Sequence, residues 1–81
     1  MVHNRIKLLR TERDLSRQDL AEAVGVNFQT IGYLERGDYN ASLELALKLA
    51  SFFDVALEEI FSLSPFVPFS QQLRRAKAGQ E

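Results

Sequence analysis

The chain has no cysteine and no tryptophan, and only two prolines, four glycines and one histidine among 81 residues. Without cysteine, neither a disulfide framework nor a zinc knuckle can hold so small a domain, and an apolar core must do the work. His3 stands alone near the start, where a role as metal ligand or base finds no support. Glu58 and Glu59 are neighbours on a helical stretch and therefore point apart. A glycine-rich phosphate loop and a nucleophile with its base are both lacking, so no enzyme, no metal and no cofactor is expected. No apolar run approaches the length that crosses a bilayer. Met1-Val-His-Asn-Arg5 also lacks the apolar stretch of a signal peptide, so a soluble, cytoplasmic chain is expected, with no membrane partner.

An excess of charge of one sign is lacking too: the net charge is −1. That sum argues against a nucleic-acid partner, but the distribution argues differently. Residues 1–37 carry six cations against five carboxylates, residues 38–69 one against five, and residues 70–81 three against one. One part of the chain is mildly basic and the next is acidic, which suits a small module with a defined face.

What is present is a run of helical punctuation. With 46% hydrophobic residues the chain is globular and of one-domain size. Ser16 is placed to cap a helix, with Asp19 three residues on as a short stand-in for the Glu of a capping box. Leu20, Ala21 and Val24 form its apolar face, and Gly25 suits the left-handed residue that ends it. Val26 is expected to plug the corner, and Asn27 to cap a second helix that carries Phe28, Ile31 and Leu34 and closes at Gly37. Helix, glycine-containing turn, helix is the pattern of a helix-turn-helix, though the spacing alone also fits an ordinary helical hairpin.

Around this unit, Asn4–Arg13 is expected to be the first helix, with Ile6 and Leu9 inward, Leu8 beside them, and Arg5, Lys7 and Arg13 on solvated faces. Ser42 caps a fourth helix with two apolar stripes, Leu43, Ala46, Ala50 and Phe53 on one, and Leu45, Leu49 and Phe52 on the other. Phe52 is a candidate for half exposure, awaiting a partner. A short fifth helix over about Leu57 to Leu63 closes the core with Leu57, Ile60 and Phe61. Ser64-Pro-Phe-Val-Pro-Phe69 then forbids a regular helix or a central strand. Phe61, Leu63, Val67 and Phe69 share a parity that an extended chain can turn to one side. With Phe66, this tail either folds back on its own helices or crosses to a second subunit. A frayed helix capped by Ser70 is equally compatible with disorder there.

Ser16-Arg-Gln-Asp-Leu-Ala-Glu-Ala-Val-Gly25, followed by Gln29-Thr-Ile, then Leu34-Glu-Arg-Gly37, resembles the Cro/phage-repressor type of helix-turn-helix, the XRE family. The likeness continues through Ser42-Leu-Glu-Leu-Ala-Leu-Lys-Leu-Ala50 and Val55 to Phe61, so it covers roughly residues 4 to 62. It implies an all-α, five-helix, lambda-repressor-like DNA-binding domain over residues 1–63, with residues 64–81 an extended Pro/Phe-rich tail and possible dimerisation arm. It further implies a transcription regulator that acts as a homodimer on double-stranded DNA and inserts its third helix, about residues 28–36, into the major groove of a palindromic operator.

By the same resemblance Arg10 pairs with Glu35 and locks helix 1 to helix 3, a structural clamp rather than a DNA contact. Base reading falls to Asn27, Phe28, Gln29 and Tyr33. Gln29 has the geometry to pair with adenine, and Asn27 either does the same or only caps. Phe28 touches a thymine methyl or staples helix 2, and Tyr33 offers a hydroxyl or a ring. Phosphates fall to Arg17, Gln18, Thr30, Arg36, Tyr39 and Asn40. Thr30 also fits a merely solvated position, and Arg36 a dipole-favoured cation at a helix end. Arg17 stands where the family often has glutamine. Gly32 is unusual inside a helix, and either a close approach to the groove or a neighbouring side chain requires it. The competing reading is a protein-interaction module, an antitoxin or adaptor that grips a partner protein through Phe52, Phe61, Phe66, Val67 and Phe69.

Overall fold

Three hydroxyl or amide caps set where the helices begin. In the computed structural model, which describes residues 2–66, helix α2 spans Arg17–Val24, α3 Phe28–Arg36 and α4 Leu43–Phe53. Ser16 Oγ accepts from the Asp19 N–H at 2.9 Å while the Ser16 N–H donates to Asp19 Oδ2 at 3.0 Å, a complete capping box. That backbone donor, then the Ser16 hydroxyl, holds the Asp19 carboxyl below its ordinary pKa. The stabilisation it gives is therefore present above the ordinary carboxylate range and lost as pH falls through the lowered value. Asn27 Oδ1 accepts from the Gln29 N–H at 2.8 Å, and Ser42 Oγ from the Leu45 N–H at 3.1 Å.

Glycine ends two of these helices. Gly25 has φ 76° and Gly37 φ 78°, both left-handed. Nothing lies within 4 Å of where a Cβ on Gly25 would stand, so only its backbone conformation demands glycine. Gly25→Ala is expected to cost about 1 kcal/mol, read as a thermal midpoint lower by roughly 4–8 °C. Asp54 ends α4 in the same conformation, with φ 56°.

The remaining elements depart from the sequence expectation at their ends. Helix α1 is Ile6–Glu12, not Asn4–Arg13, and α5 is Leu57–Ile60, not Leu57–Leu63. Just before α1 and just after α5 lie the two strands of an antiparallel ribbon, β1 His3–Asn4 against β2 Phe61–Ser62, with Asn4 opposite Phe61. Asn4 is drawn out of the helix because its side chain accepts from the Ile6 N–H at 3.1 Å and donates to the Leu34 carbonyl at 2.8 Å. That second bond adds a donor to a carbonyl in the last turn of α3, which also accepts from the Gly37 N–H at 3.1 Å, and so ties the start of the chain to the end of that helix.

Ile6, Leu20, Ile31, Leu34, Leu49, Phe53 and Ile60 are the large side chains wholly withdrawn from solvent, at least one from each helix. Leu9, Leu15, Val26, Val55, Leu57 and Phe61 pack against them. Leu8, placed beside the inward residues by sequence, is 52% exposed, and Leu43, assigned to a buried stripe of α4, is 70% exposed. Leu43 is the first residue of its helix, where no neighbouring element covers it. Leu63 is 82% exposed while Phe61 packs on the core, so those two do not share one face as their parity suggested. Arg13 is not merely solvated: Nη2 donates to the Phe53 carbonyl at 2.9 Å, and its guanidinium lies 4.9 Å from that ring's centre. Arg5 likewise covers the ring of Phe66 at 4.1 Å, so the chain folds back on its own domain as far as Phe66. Val67, Phe69 and the stretch after Ser70 lie outside the described residues. Among the described residues no helix is long and apolar enough to cross a membrane.

Candidate nucleic-acid interface

Helix α3 presents one strip outward because its apolar residues are spent inward. Ile31 and Leu34 are buried, while Phe28, Gln29 and Tyr33 are exposed on the opposite side. Phe28 keeps 53% of its surface in solvent, so it does not staple α2. Tyr33 keeps 48%, and the Arg36 guanidinium lies 5.2 Å from its ring centre. The cap bond occupies Asn27 Oδ1, the acceptor that pairing with an adenine edge requires. Thr30 is half-buried, and Gln18, Tyr39 and Asn40 are exposed.

Behind the strip sits one buried carboxylate. The Glu35 side chain is 1% exposed. Arg10 Nε donates to its Oε2 at 2.7 Å and Arg10 Nη2 to Oε1 at 3.3 Å, while Arg10 Nη1 holds the Leu15 carbonyl at 2.8 Å. The forked pair joins α1 to α3 and the loop that precedes α2. Arg17 adds a third member, with Nε donating to Glu35 Oε1 at 3.1 Å. Two cations thus share one buried anion, and one positive charge remains uncompensated at the edge of α3. Arg36 pairs outside with Asp38 at 3.0 Å, both half exposed or more.

The bond from Arg17 to Glu35 has no signal in the sequence, because nothing local brings those positions together. The bond from Asn4 to Leu34 is equally hidden. The pairing of Arg36 with Asp38 is a near-neighbour contact that charge spacing alone suggests. Among the residues proposed for a protein-binding tail, Phe52 is 41% exposed and edge-on to Phe53, with ring centres 5.1 Å apart. Phe61 and Phe66 are half-buried against their own domain.

Comparison with known proteins agrees with this arrangement. Residues 6–60 match the family described as Helix-turn-helix. The chain is 47% identical over 58 residues, 72% of its length and 88% of the relative's, to an uncharacterized HTH-type transcriptional regulator of Methanocaldococcus jannaschii. It is 37% identical over 62 residues to the cryptic phage CTXphi transcriptional repressor RstR of Vibrio cholerae, covering 76% of this chain and 56% of that one. Among solved structures, the restriction-modification controller protein C.AhdI of Aeromonas hydrophila superposes with a TM-score of 0.63 at 40% identity, covering 68% of this chain and 83% of that one. Capping chemistry, buried clamp, exposed strip of α3 and these relatives lead to one conclusion: the chain belongs to the helix-turn-helix family of Cro/phage-repressor type, a family of DNA-binding transcription regulators.

Proposed function

We propose that this chain regulates transcription as a homodimer, each copy laying α3 in the major groove of one half of a two-fold-related operator. The observation that carries the reading is the outward strip of Phe28, Gln29 and Tyr33, left in solvent by a helix whose other side is fixed to the core and to the Arg10–Glu35 pair. Gln29 reads an adenine edge, and Phe28 and Tyr33 pack on thymine methyl groups or offer the phenol. Asn27 serves as the helix cap. Gln18, Thr30, Tyr39 and Asn40 hold phosphates, which fix the register of the protein on the duplex.

Dimerisation extends a short readout to two half-sites about one helical turn apart. Val2, Leu43, Leu57, Phe61 and Leu63 lie around adjoining hollows and form the apolar surface for a second copy. The exposed apolar residues Leu43 and Leu63 gain most from being covered. Duplexes selected from a random pool by the protein supply the test. In a gel shift over a salt series they should bind at least about a thousandfold more tightly than random DNA. Sedimentation at the same concentrations should show a dimer. Equal binding to selected and random duplexes would remove the sequence-reading role.

A further inference from the structure

We infer that Arg17 and Arg36, which the family resemblance already assigns to phosphates one by one, form a single clamp over Gly32 that grips one and the same DNA phosphate; this rests on the DNA-binding reading above and joins two of its contacts into one. One arginine opens α2 and the other closes α3, yet both side chains reach the same spot. A Cβ on Gly32 would stand 3.4 Å from Arg36 Nη1, 3.7 Å from Arg17 Nη1 and 3.8 Å from Arg17 Cζ. The two guanidinium groups therefore converge over the one position of α3 that has no side chain. A Cβ would fit there at ordinary contact distance, whereas a longer side chain would enter the space between the two groups.

Two like charges converge only where something holds them. Arg17 is held through Nε by Glu35 Oε1, and Arg36 through Nε by Asp38 Oδ2. Tyr33 adds its ring beneath the Arg36 guanidinium. Each carboxylate takes the Nε end, and among the described residues neither Nη1 makes a hydrogen bond. The Nη1 ends are the ones that meet over Gly32. Two guanidinium Nη1 groups at one point, each with N–H donors to spare, suit the non-bridging oxygens of a phosphodiester. A base edge fits less well, because in this motif the first helix crosses the backbone and bases are read from the N-terminal part of the second. Arg17 and Arg36 occupy neither of the base-reading positions.

Random-sequence duplex DNA is the probe, since phosphate binding does not require an operator. The slope of log affinity against log salt counts phosphates neutralised. For Arg17→Gln with Arg36→Gln in one chain, the slope should weaken by about 0.9, the value for one phosphate, whereas two separate contacts would remove about 1.8. Each single variant keeps one fork on the phosphate and should lose affinity with a smaller change of slope. Gly32→Leu is the decisive partner, because it fills the meeting point and leaves both charges in place. It should weaken the slope as the double variant does, while Gly32→Ala, whose Cβ makes ordinary contacts, should not. Gly32→Met repeats the test with an unbranched chain should the leucine variant melt early. A slope loss of about 1.8 in the double variant, no loss at all, or wild-type behaviour with leucine or methionine at position 32 overturns the shared clamp while DNA binding stands. A wild-type protein that forms no salt-dependent complex with any duplex overturns the DNA-binding reading as well.

Discussion

Glu35→Ala is expected to lower the stability of the domain by about 3–5 kcal/mol, the range found when one partner of a buried ion pair is removed. A chain of 81 residues has a total stability of roughly 4–12 kcal/mol, so this loss takes a large fraction of it. The reason is the position of Arg10. Its side chain is 12% exposed, and without Glu35 only the Leu15 carbonyl remains to receive its charge. Arg17, at 42%, can turn into solvent and contributes little to the loss. Removing both buried partners together gives the sharper result. Arg10→Met with Glu35→Leu leaves no buried charge behind and should recover most of the stability, measured by urea unfolding. A double variant as unstable as Glu35→Ala would mean that the pair itself, and not a stranded cation, sets the loss.

Phe53→Ala is expected to cost a similar 3–5 kcal/mol for a different reason. Phe53 fills the centre of the core from the last turn of α4 and is 1% exposed. Its ring meets Phe52 edge-on, at an interplanar angle of 75°, and lies under the Arg13 guanidinium. Truncation opens a cavity that close-packed neighbours fill only in part, and the Arg13 bond to the Phe53 carbonyl holds the end of α1 against this turn of α4. Phe53→Leu keeps much of the volume and should cost less than half as much. Phe52→Ala, by contrast, removes a side chain that is 41% exposed, and its thermal midpoint should fall far less than that of Phe53→Ala. Equal losses at the two neighbours would contradict the assignment of the core to Phe53.

The legible parts of the fold are those set by short-range chemistry. Ser16 with Asp19, Asn27 before Gln29, Ser42 before Leu45 and the left-handed Gly25 and Gly37 each act within a few residues, and each stands as read. The inward residues of α2 and α3 follow from helical spacing, because both helices are long enough for a period to show. The β1–β2 ribbon was illegible: two residues per strand display no alternation, and the pairing joins the two ends of the domain. The shortened α1 and α5 follow from that ribbon, since Asn4 and Phe61 cannot belong both to a strand and to a helix. Exposure of Leu8 and Leu43 was illegible for a related reason, as apolar identity does not say whether a neighbour exists to cover it.

At the candidate interface the exposed strip was legible and the charge network behind it was not. Gln29 and Tyr33 lie four apart on one helix face, so their common orientation needs no tertiary information. Arg17 reads from sequence as a lone cation near a helix start. Only the fold reveals that it shares Glu35 with Arg10 and meets Arg36 over Gly32. Two guanidinium groups flank position 32, yet a Cβ there would stand at ordinary contact distance from both, so they make a side chain larger than alanine costly without themselves demanding glycine.

The central claim is that the outer strip of α3 distinguishes one DNA sequence from another. Its most direct test compares the wild-type protein with the Gln29→Ala, Tyr33→Ala double variant on the selected duplex and on random DNA at one salt concentration. Neither side chain is buried, so the variant should melt as the wild type does, and its own affinity for random DNA is the reference for its preference, because Tyr33 also lies under the Arg36 guanidinium. Its preference for the selected duplex should fall by at least about tenfold, the discrimination that one or two base contacts supply. An undiminished preference in a folded variant would place sequence reading elsewhere on the molecule.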